Sequence, residues 1–251
     1  SEDADAEDAG QALRKLALLH TVAIPLDLLT AQEKRAVNLL QEHSLVTVDD
    51  KGNAAMHALT QLVVREYLTP KAQRIAILTA VAAALQVKLV KYDEKKTTTY
   101  FIGRRYARHA SAVAANARAW GLVSEGGGKG RRAPAAAGEA DRLLDDIAAM
   151  CVRAGNFFRE VVAQYRDALY MYQMALDCGV ANYGHKHPIV AVCYNNIGVV
   201  YKVQDRHKEA LEQYQKALKI QTRVFGDNHE DVAMGYGNIG NVYEKQGKYV
   251  E

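Results

Sequence analysis

The sequence predicts a mainly α-helical chain: a small helix-and-hairpin module, a helical spacer, and a C-terminal α-solenoid of stacked helix pairs. Three observations predict it. Ala191-Val192 followed by Tyr194-Asn195-Asn196-Ile197-Gly198-Val199-Val200-Tyr201 returns as Val232-Ala233 followed by Tyr236-Gly237-Asn238-Ile239-Gly240-Asn241-Val242-Tyr243, and His187 and His229 open the two copies at a period of 42 residues. Such a period marks stacked helix pairs, each unable to bury its apolar face without its neighbour. Hydrophobic residues make up 49% of the 251 and only 4 are proline, which suits a folded, largely helical chain. Finally, Ile75, Leu78, Val81, Ala82 and Leu85 recur at helical spacing well before the repeats begin. Stacked pairs expose a long groove, so a partner-binding surface is a better expectation than an active site.

The elements follow in order. Residues 11–20 read as a short helix with Leu13, Leu16, Ala17 and Leu19 inward. Pro25 opens a second segment, and Thr30 with Glu33 three residues on has capping-box spacing before a helix that buries Ala36, Leu39 and Leu40. Leu45-Val46-Thr47-Val48 is β-rich, Asp49-Asp50-Lys51-Gly52-Asn53 is a turn signal, and residues 54–56 form the returning strand. Residues 57–68 are helical again and stop at Pro70. Helices followed by a small hairpin describe a winged-helix-like module over 11–70.

Residues 71–125 form the helical spacer: one helix through Leu85, an interruption at 91–99, and an alanine-rich helix over 100–120. Residues 126–139, with glycines, Arg131-Arg132 and Pro134, read as a flexible linker. The solenoid then occupies 140–251 as about two and a half copies. Laying the first under the others puts Ala148 at the Gly198 position, Cys151 at Tyr201, Gly155 at Gly247, and Tyr172 at Tyr214. That alignment gives the first copy an eight-residue insertion, expected to lengthen its second helix. The last copy stops where its second helix is due, so the natural chain is expected to continue.

Gly198 and Gly240 are expected to let paired helices approach closely, and Tyr201, Tyr243, Ala210 and Ala217 to interlock large against small. Tyr183-Gly184 and Phe225-Gly226 mark helix ends, where glycine takes a positive φ. The tyrosine spacing follows the repeat, which makes these rings packing residues rather than a ligand cage.

Residues 187–251 resemble tetratricopeptide repeats of the 42-residue kinesin light chain type, through His187-Pro188-Ile189-Val190-Ala191, Tyr194-Asn195-Asn196-Ile197-Gly198, Glu209-Ala210-Leu211-Glu212-Gln213-Tyr214 and Phe225-Gly226-Asp227-Asn228-His229. The resemblance implies a groove lined by first-helix positions. Carried onto this chain, these are Arg142, Asp145 and Arg153 in the first copy, Asn195, Val199 and Lys202 in the second, and Asn241, Glu244 and Lys245 in the third. Asn holds a peptide backbone, and Arg and Lys pair with acidic side chains. Asn38-Leu39-Leu40-Gln41-Glu42-His43-Ser44-Leu45-Val46 and Met56-His57-Ala58-Leu59-Thr60-Gln61-Leu62 are similar to the winged-helix segment of NB-ARC/STAND signalling ATPases. That resemblance places Met56-His57 on the Met-His-Asp motif, whose histidine contacts the ADP phosphate; here Ala58 stands in the Asp position. Two roles stand for His57: a nucleotide sensor in a longer protein that binds ADP or ATP, and a helix cap.

Several function classes are disfavoured. The net charge of +3 is too small to argue for nucleic acid, and the last helix of the winged module carries one fixed cation, Arg65, beside Glu66. Basic residues elsewhere, at Lys88, Lys91, Lys95, Lys96, Arg104, Arg105, Arg108, Lys129, Arg131 and Arg132, read as a solvated face. No apolar run is long enough to span a bilayer, and the acidic start Ser1-Glu2-Asp3 lacks the basic opening of a secretory signal. Cys151, Cys178 and Cys193, without CxxC spacing, suit buried thiols in a reducing cytoplasm. Gly126-Gly127-Gly128-Lys129-Gly130-Arg131 lacks phosphate-loop spacing, and His185, His187, Asp177 and Cys178 make no complete metal pattern. The expectation is therefore a non-catalytic scaffold without cofactor or metal, binding a protein or peptide. The alternative is the sensor region of a nucleotide-switched ATPase whose catalytic domain lies elsewhere. An uncovered end of the stack leaves self-association open.

Overall fold

The structure, a computed structural model, describes residues 2–89, 99–124, 126 and 137–247. It opens on α1 (Glu2–Leu16), which starts nine residues before the expected helix and ends four residues earlier. The acidic start favours the positive end of the helix dipole, and Arg14 and Lys15 favour its last turn. At the end of α1 and just past it, Leu16, Ala17 and Leu18 are buried, and the Gln61 amide donates to the Leu16 and Leu19 carbonyls at 3.3 and 3.2 Å. These bonds satisfy acceptors that a helix end leaves unpaired.

The capping box of α2 (Ala31–Glu42) forms as its spacing predicts. Thr30 Oγ1 accepts from the Glu33 amide at 3.2 Å, and Glu33 Oε2 accepts from the Thr30 amide at 2.9 Å. The other oxygen of the buried Glu33 carboxylate meets Lys15 Nζ at 2.6 Å, pinning α2 to α1. Glu33→Ala thus loses a cap and strips Lys15 of its partner. It is expected to cost about 2 kcal/mol in a urea titration, with Glu33→Gln, which keeps the cap, costing less.

The hairpin strands β2 (Thr47–Val48) and β3 (Asn53–Ala55) are joined by a turn in which Asp49 Oδ1 accepts from the Asn53 and Lys51 amides. A third strand, β1 (Ile24–Pro25), was not expected; it pairs antiparallel with β3 and makes the sheet order β1-β3-β2. The expected helix over 57–68 is α3 (Ala58–Val63) running into a wider π-helical turn, Val64–Leu68.

Helices α4 (Arg74–Leu89) and α5 (Tyr100–Ala119) pair with one another and lie directly on α6 (Ala137–Glu160). Buried Asn116 of α5 donates to the Leu18 carbonyl at 3.0 Å, tying the spacer back to the first module. One continuous buried cluster runs from Ala9 to Ile220. The interruption expected at 91–99 lies outside the described residues except for Thr99, and the linker expected at 126–139 does so for 127–136. Its last residues are not linker, because α6 begins at Ala137.

The repeats continue as α7 (Tyr165–Tyr183), α8 (Pro188–Val203), α9 (His207–Phe225) and α10 (Glu230–Lys245). They correct the expected register of the first copy. Both second helices, α7 and α9, have 19 residues, so the second helix of the first copy is not lengthened. The excess lies in the first helix: α6 has 24 residues, α8 and α10 have 16. At the turn between paired helices, the Gln164 amide donates to the Phe158 carbonyl as the Arg206 amide donates to that of Tyr201. Ala163 and Asp205 both take positive φ, 53° and 57°. Positions in α6 therefore match α8 at an offset of 43 and positions in α7 match α9 at 42, the difference being one extra residue in the turn 161–164. Gly155, not Ala148, is the counterpart of Gly198.

Candidate protein-binding groove

The repeats are held in register by two recurring devices. The first is at the pair-to-pair turn. Gly184 and Gly226 end α7 and α9 at φ 81° with extended ψ, a region essentially reserved for glycine. The next histidine caps the following helix: His187 Nδ1 accepts from the Ile189 amide at 3.3 Å, and His229 Nδ1 from the Asp231 amide at 3.2 Å. Each ring stacks on the aromatic residue before the glycine, Tyr183 at 4.1 Å and Phe225 at 4.4 Å between centroids. The histidines recur because the turn needs a flat capping residue.

The second device is a glycine facing a tyrosine. A Cβ on Gly155 would lie 2.6 Å from the Tyr172 ring, and one on Gly198 would lie 2.7 Å from the Tyr214 ring. Tyr172 and Tyr214 are fully buried. At Gly240 the expected close approach is not seen, because no described element lies beside it.

This register decides which side chains of α6 answer to those of α8. Asn195, Val199 and Lys202 correspond to Val152, Asn156 and Arg159, so Arg142, Asp145 and Arg153 are not the equivalent positions. Arg142 is exposed on the added length of α6, and Arg153 is half-buried. Asp145 is committed within the fold, its two oxygens accepting from Asn182 Nδ2 at 2.8 Å and Tyr183 Oη at 2.6 Å. Asn195 Oδ1 accepts from Asn238 Nδ2 at 2.8 Å, joining α8 to α10. Asn241, Glu244 and Lys245 stand exposed on α10. His57 is exposed and caps α3, its Nδ1 accepting from the Leu59 amide at 3.2 Å.

Sequence reasoning missed Asn156 and Arg159. In the first copy the Tyr172 hydroxyl donates to Asn156 Oδ1 at 2.7 Å and accepts from Arg159 Nε at 3.2 Å. In the second copy Val199 replaces Asn156, and the buried Tyr214 hydroxyl has no partner among the described residues. Lys202, in the place of Arg159, is half-buried and has no ion-pair partner among the described residues. Burial pulls the Lys202 ammonium below its ordinary value, with the like charges of Lys245 and Arg159 acting in the same sense. Burial pushes the Tyr214 hydroxyl up to about 12, offset in part by the Arg159 charge. Arg159, which also pairs with Glu160 at 2.8 Å, and Lys202 hold equivalent places on consecutive first helices; on the third, Glu244 takes that place and Lys245 stands next to it.

Cys151, Cys178 and Cys193 are buried, and burial drives each thiol upward, Cys193 to about 12, which removes the thiolate a nucleophile needs. Among the described residues no group of His, Cys, Asp or Glu is placed to hold a metal ion, and no helix is long and apolar enough to cross a membrane.

The Tetratricopeptide repeat family model matches residues 146–221 and 194–251. Residues 146–251 are a tetratricopeptide-repeat region. The first match begins within α6. No curated protein matches this chain. Among solved structures it is similar to BtubC (BKLC) from P. vanneervenii at 17% identity and a TM-score of 0.39, over 75% of this chain and 78% of that one. A tetratricopeptide-repeat solenoid is a non-catalytic scaffold, consistent with protein–protein interaction.

Proposed function

We propose that the first-helix face of the repeats binds an extended, acidic segment of a partner protein. The observation that carries this reading is a cluster of cations on three consecutive first helices, in which half-buried Lys202 feels the charges of Arg159 and Lys245 and has no ion-pair partner among the described residues. A partner carboxylate pairing with the half-buried Lys202 does so in a partly desolvated place, where charge-assisted bonds are strong. Asn195, Val199 and Asn241 extend the face for backbone and apolar contacts, and Glu244 at its far end selects against uniformly acidic ligands there. Arg142 and Arg153 stand at its α6 side, whereas Asp145 serves the fold. Titrating a library of fluorescein-labelled peptides by polarisation tests this. The acidic members are expected to bind best, and Asn195→Ala plus Lys202→Ala to weaken them at least tenfold, with the melting temperature little changed. Equal binding by both proteins counts against the groove.

A second reading rests on the first module. The three-stranded sheet, the helices around it and His57 exposed at the start of α3 support a winged-helix segment of the NB-ARC/STAND kind followed by kinesin light chain-like repeats. In that reading the repeats are the sensor of a cytoplasmic, nucleotide-switched ATPase. Sequence preceding Ser1 that encodes a phosphate loop supports it, and an unrelated domain there removes it.

A further inference from the structure

A cavity of about 560 Å³ lies where the first module, the spacer and the first repeat meet. One wall is Arg104, Arg105 and Arg108 of α5, all with exposed side chains. Opposite them stand Phe157, Phe158 and Val161, at the end of α6 and in the turn that follows. His20, Ala23 and Asn53 close the module side.

No ion pair among the described residues holds any of the three guanidinium groups, though Arg105 lies over the Tyr106 ring at 5.8 Å. Arg104 and Arg108 have no carboxylate within ion-pair distance among the described residues. Arg105 spends one N–H on Asn53 Oδ1 at 3.3 Å. Asp27, whose carboxylate feels the Arg105 charge, is already held by Lys88 at 2.9 Å and the Tyr106 hydroxyl at 2.7 Å. The back of the cavity is rigid. His109 Nδ1 accepts from the His20 amide, which places the ring proton on Nε2 facing the Ala23 carbonyl, and the His20 ring packs edge-on against His109. At Gly103 a Cβ would lie 2.1 Å from the Phe157 ring, so α5 and α6 meet without room to shift.

We infer that this cavity binds a phosphate monoester of mononucleotide size, its phosphate on Arg104, Arg105 and Arg108 and a flat apolar part against Phe157, Phe158 and Val161. The volume lies in the range that buries a small ligand rather than a protein segment. Planar guanidinium forks match a dianionic phosphate better than a single carboxylate does. Because its walls come from three parts of the chain, a bound monoester clamps the first module to the repeats.

The test is calorimetric titration of the 251-residue protein with adenosine monophosphate and with flavin mononucleotide, beside adenosine and inorganic phosphate alone. At least one mononucleotide is expected to bind and to raise the melting temperature, and to do so at least tenfold more tightly than either fragment. Arg104→Gln plus Arg108→Gln, at exposed positions, is expected to weaken it at least tenfold while the unliganded melting temperature holds. Lys202→Ala, in the groove, is expected to change nothing, which separates this site from the peptide-binding reading. No binding of either mononucleotide overturns the inference. So does equal affinity in the double variant, inorganic phosphate binding as tightly as the mononucleotide, or displacement of the ligand by polyglutamate.

Discussion

Tyr172→Ala is expected to destabilise the protein by about 3–5 kcal/mol, the range for truncating a fully buried aromatic side chain. The ring fills the space left by Gly155, so its loss opens a void between α6 and α7 that neither backbone can close. The reciprocal change, Gly155→Ala, overpacks the same contact and is expected to cost about 1–3 kcal/mol. Phenylalanine variants separate the hydroxyl from the ring. Tyr172→Phe forfeits the bonds to Asn156 and Arg159 and is expected to cost about 1 kcal/mol, leaving the Asn156 acceptor unmatched. Tyr214→Phe removes a hydroxyl that has no partner among the described residues and is expected to be neutral or mildly stabilising. The checking measurement is chemical denaturation followed by circular dichroism, with all four variants at one temperature. Equal costs for the two phenylalanine variants would show that the two hydroxyls are equivalent and that the Asn156 and Arg159 contacts add nothing.

The same glycine–tyrosine pairs explain why some of the architecture was legible in the sequence and some was not. The period was readable because the two C-terminal copies share their turn: Gly184 and Gly226 need positive φ, and His187 and His229 must both cap and stack. The capping box at Thr30 and Glu33 was readable because its chemistry is local. The register of the first copy was not. Ala148 is a small residue like Gly198, and aligning the two pushed the mismatch downstream, where it posed as a lengthened helix. Gly155 and Tyr172 are 17 residues apart and Gly198 and Tyr214 are 16 apart. That spacing was the available signal. It matters because an aromatic ring tolerates no side chain opposite it, whereas an alanine elsewhere on the helix carries no such demand. Placing Ala148 under Gly198 also put Asp145 in the place of Asn195, where the structure puts Val152. Strand β1 escaped for a different reason: two residues, one of them proline, carry no periodicity, and only the partner β3 makes them a strand. The start of α1 escaped because Asp and Glu are poor indicators of a buried face, even though they favour a helix N-terminus.

Asp177→Ala is expected to cost about 3 kcal/mol, near the lower end for breaking a buried ion pair by removing one partner. Asp177 is 1% exposed on α7, and Arg118 of α5, whose side chain is 24% exposed, binds it directly. Gln173 Nε2 and the Gly126 amide supply two further donors at 2.9 and 3.2 Å. The carboxylate therefore gathers the spacer, the first repeat and the segment between them. Truncation leaves a guanidinium and a backbone N–H without their acceptor. Burial nevertheless holds the carboxyl above its usual value of 3.8, outweighing the opposing pull of Gln173, Arg118 and Gly126. The sign of the pH effect follows. The folded protein keeps this proton to a higher pH than the unfolded chain, so the contribution of Asp177 is most favourable at or below the unfolded value and declines as pH rises through the folded one. Asp177→Asn, which cannot titrate, is expected to lose that decline while retaining an acceptor for Gly126. Melting temperatures of the native protein and both variants across the acid range decide the matter. Parallel pH profiles for native and Asn proteins, or an Ala variant as stable as native, would mean that this carboxylate is solvated and that α5 and α7 are held together by apolar packing alone.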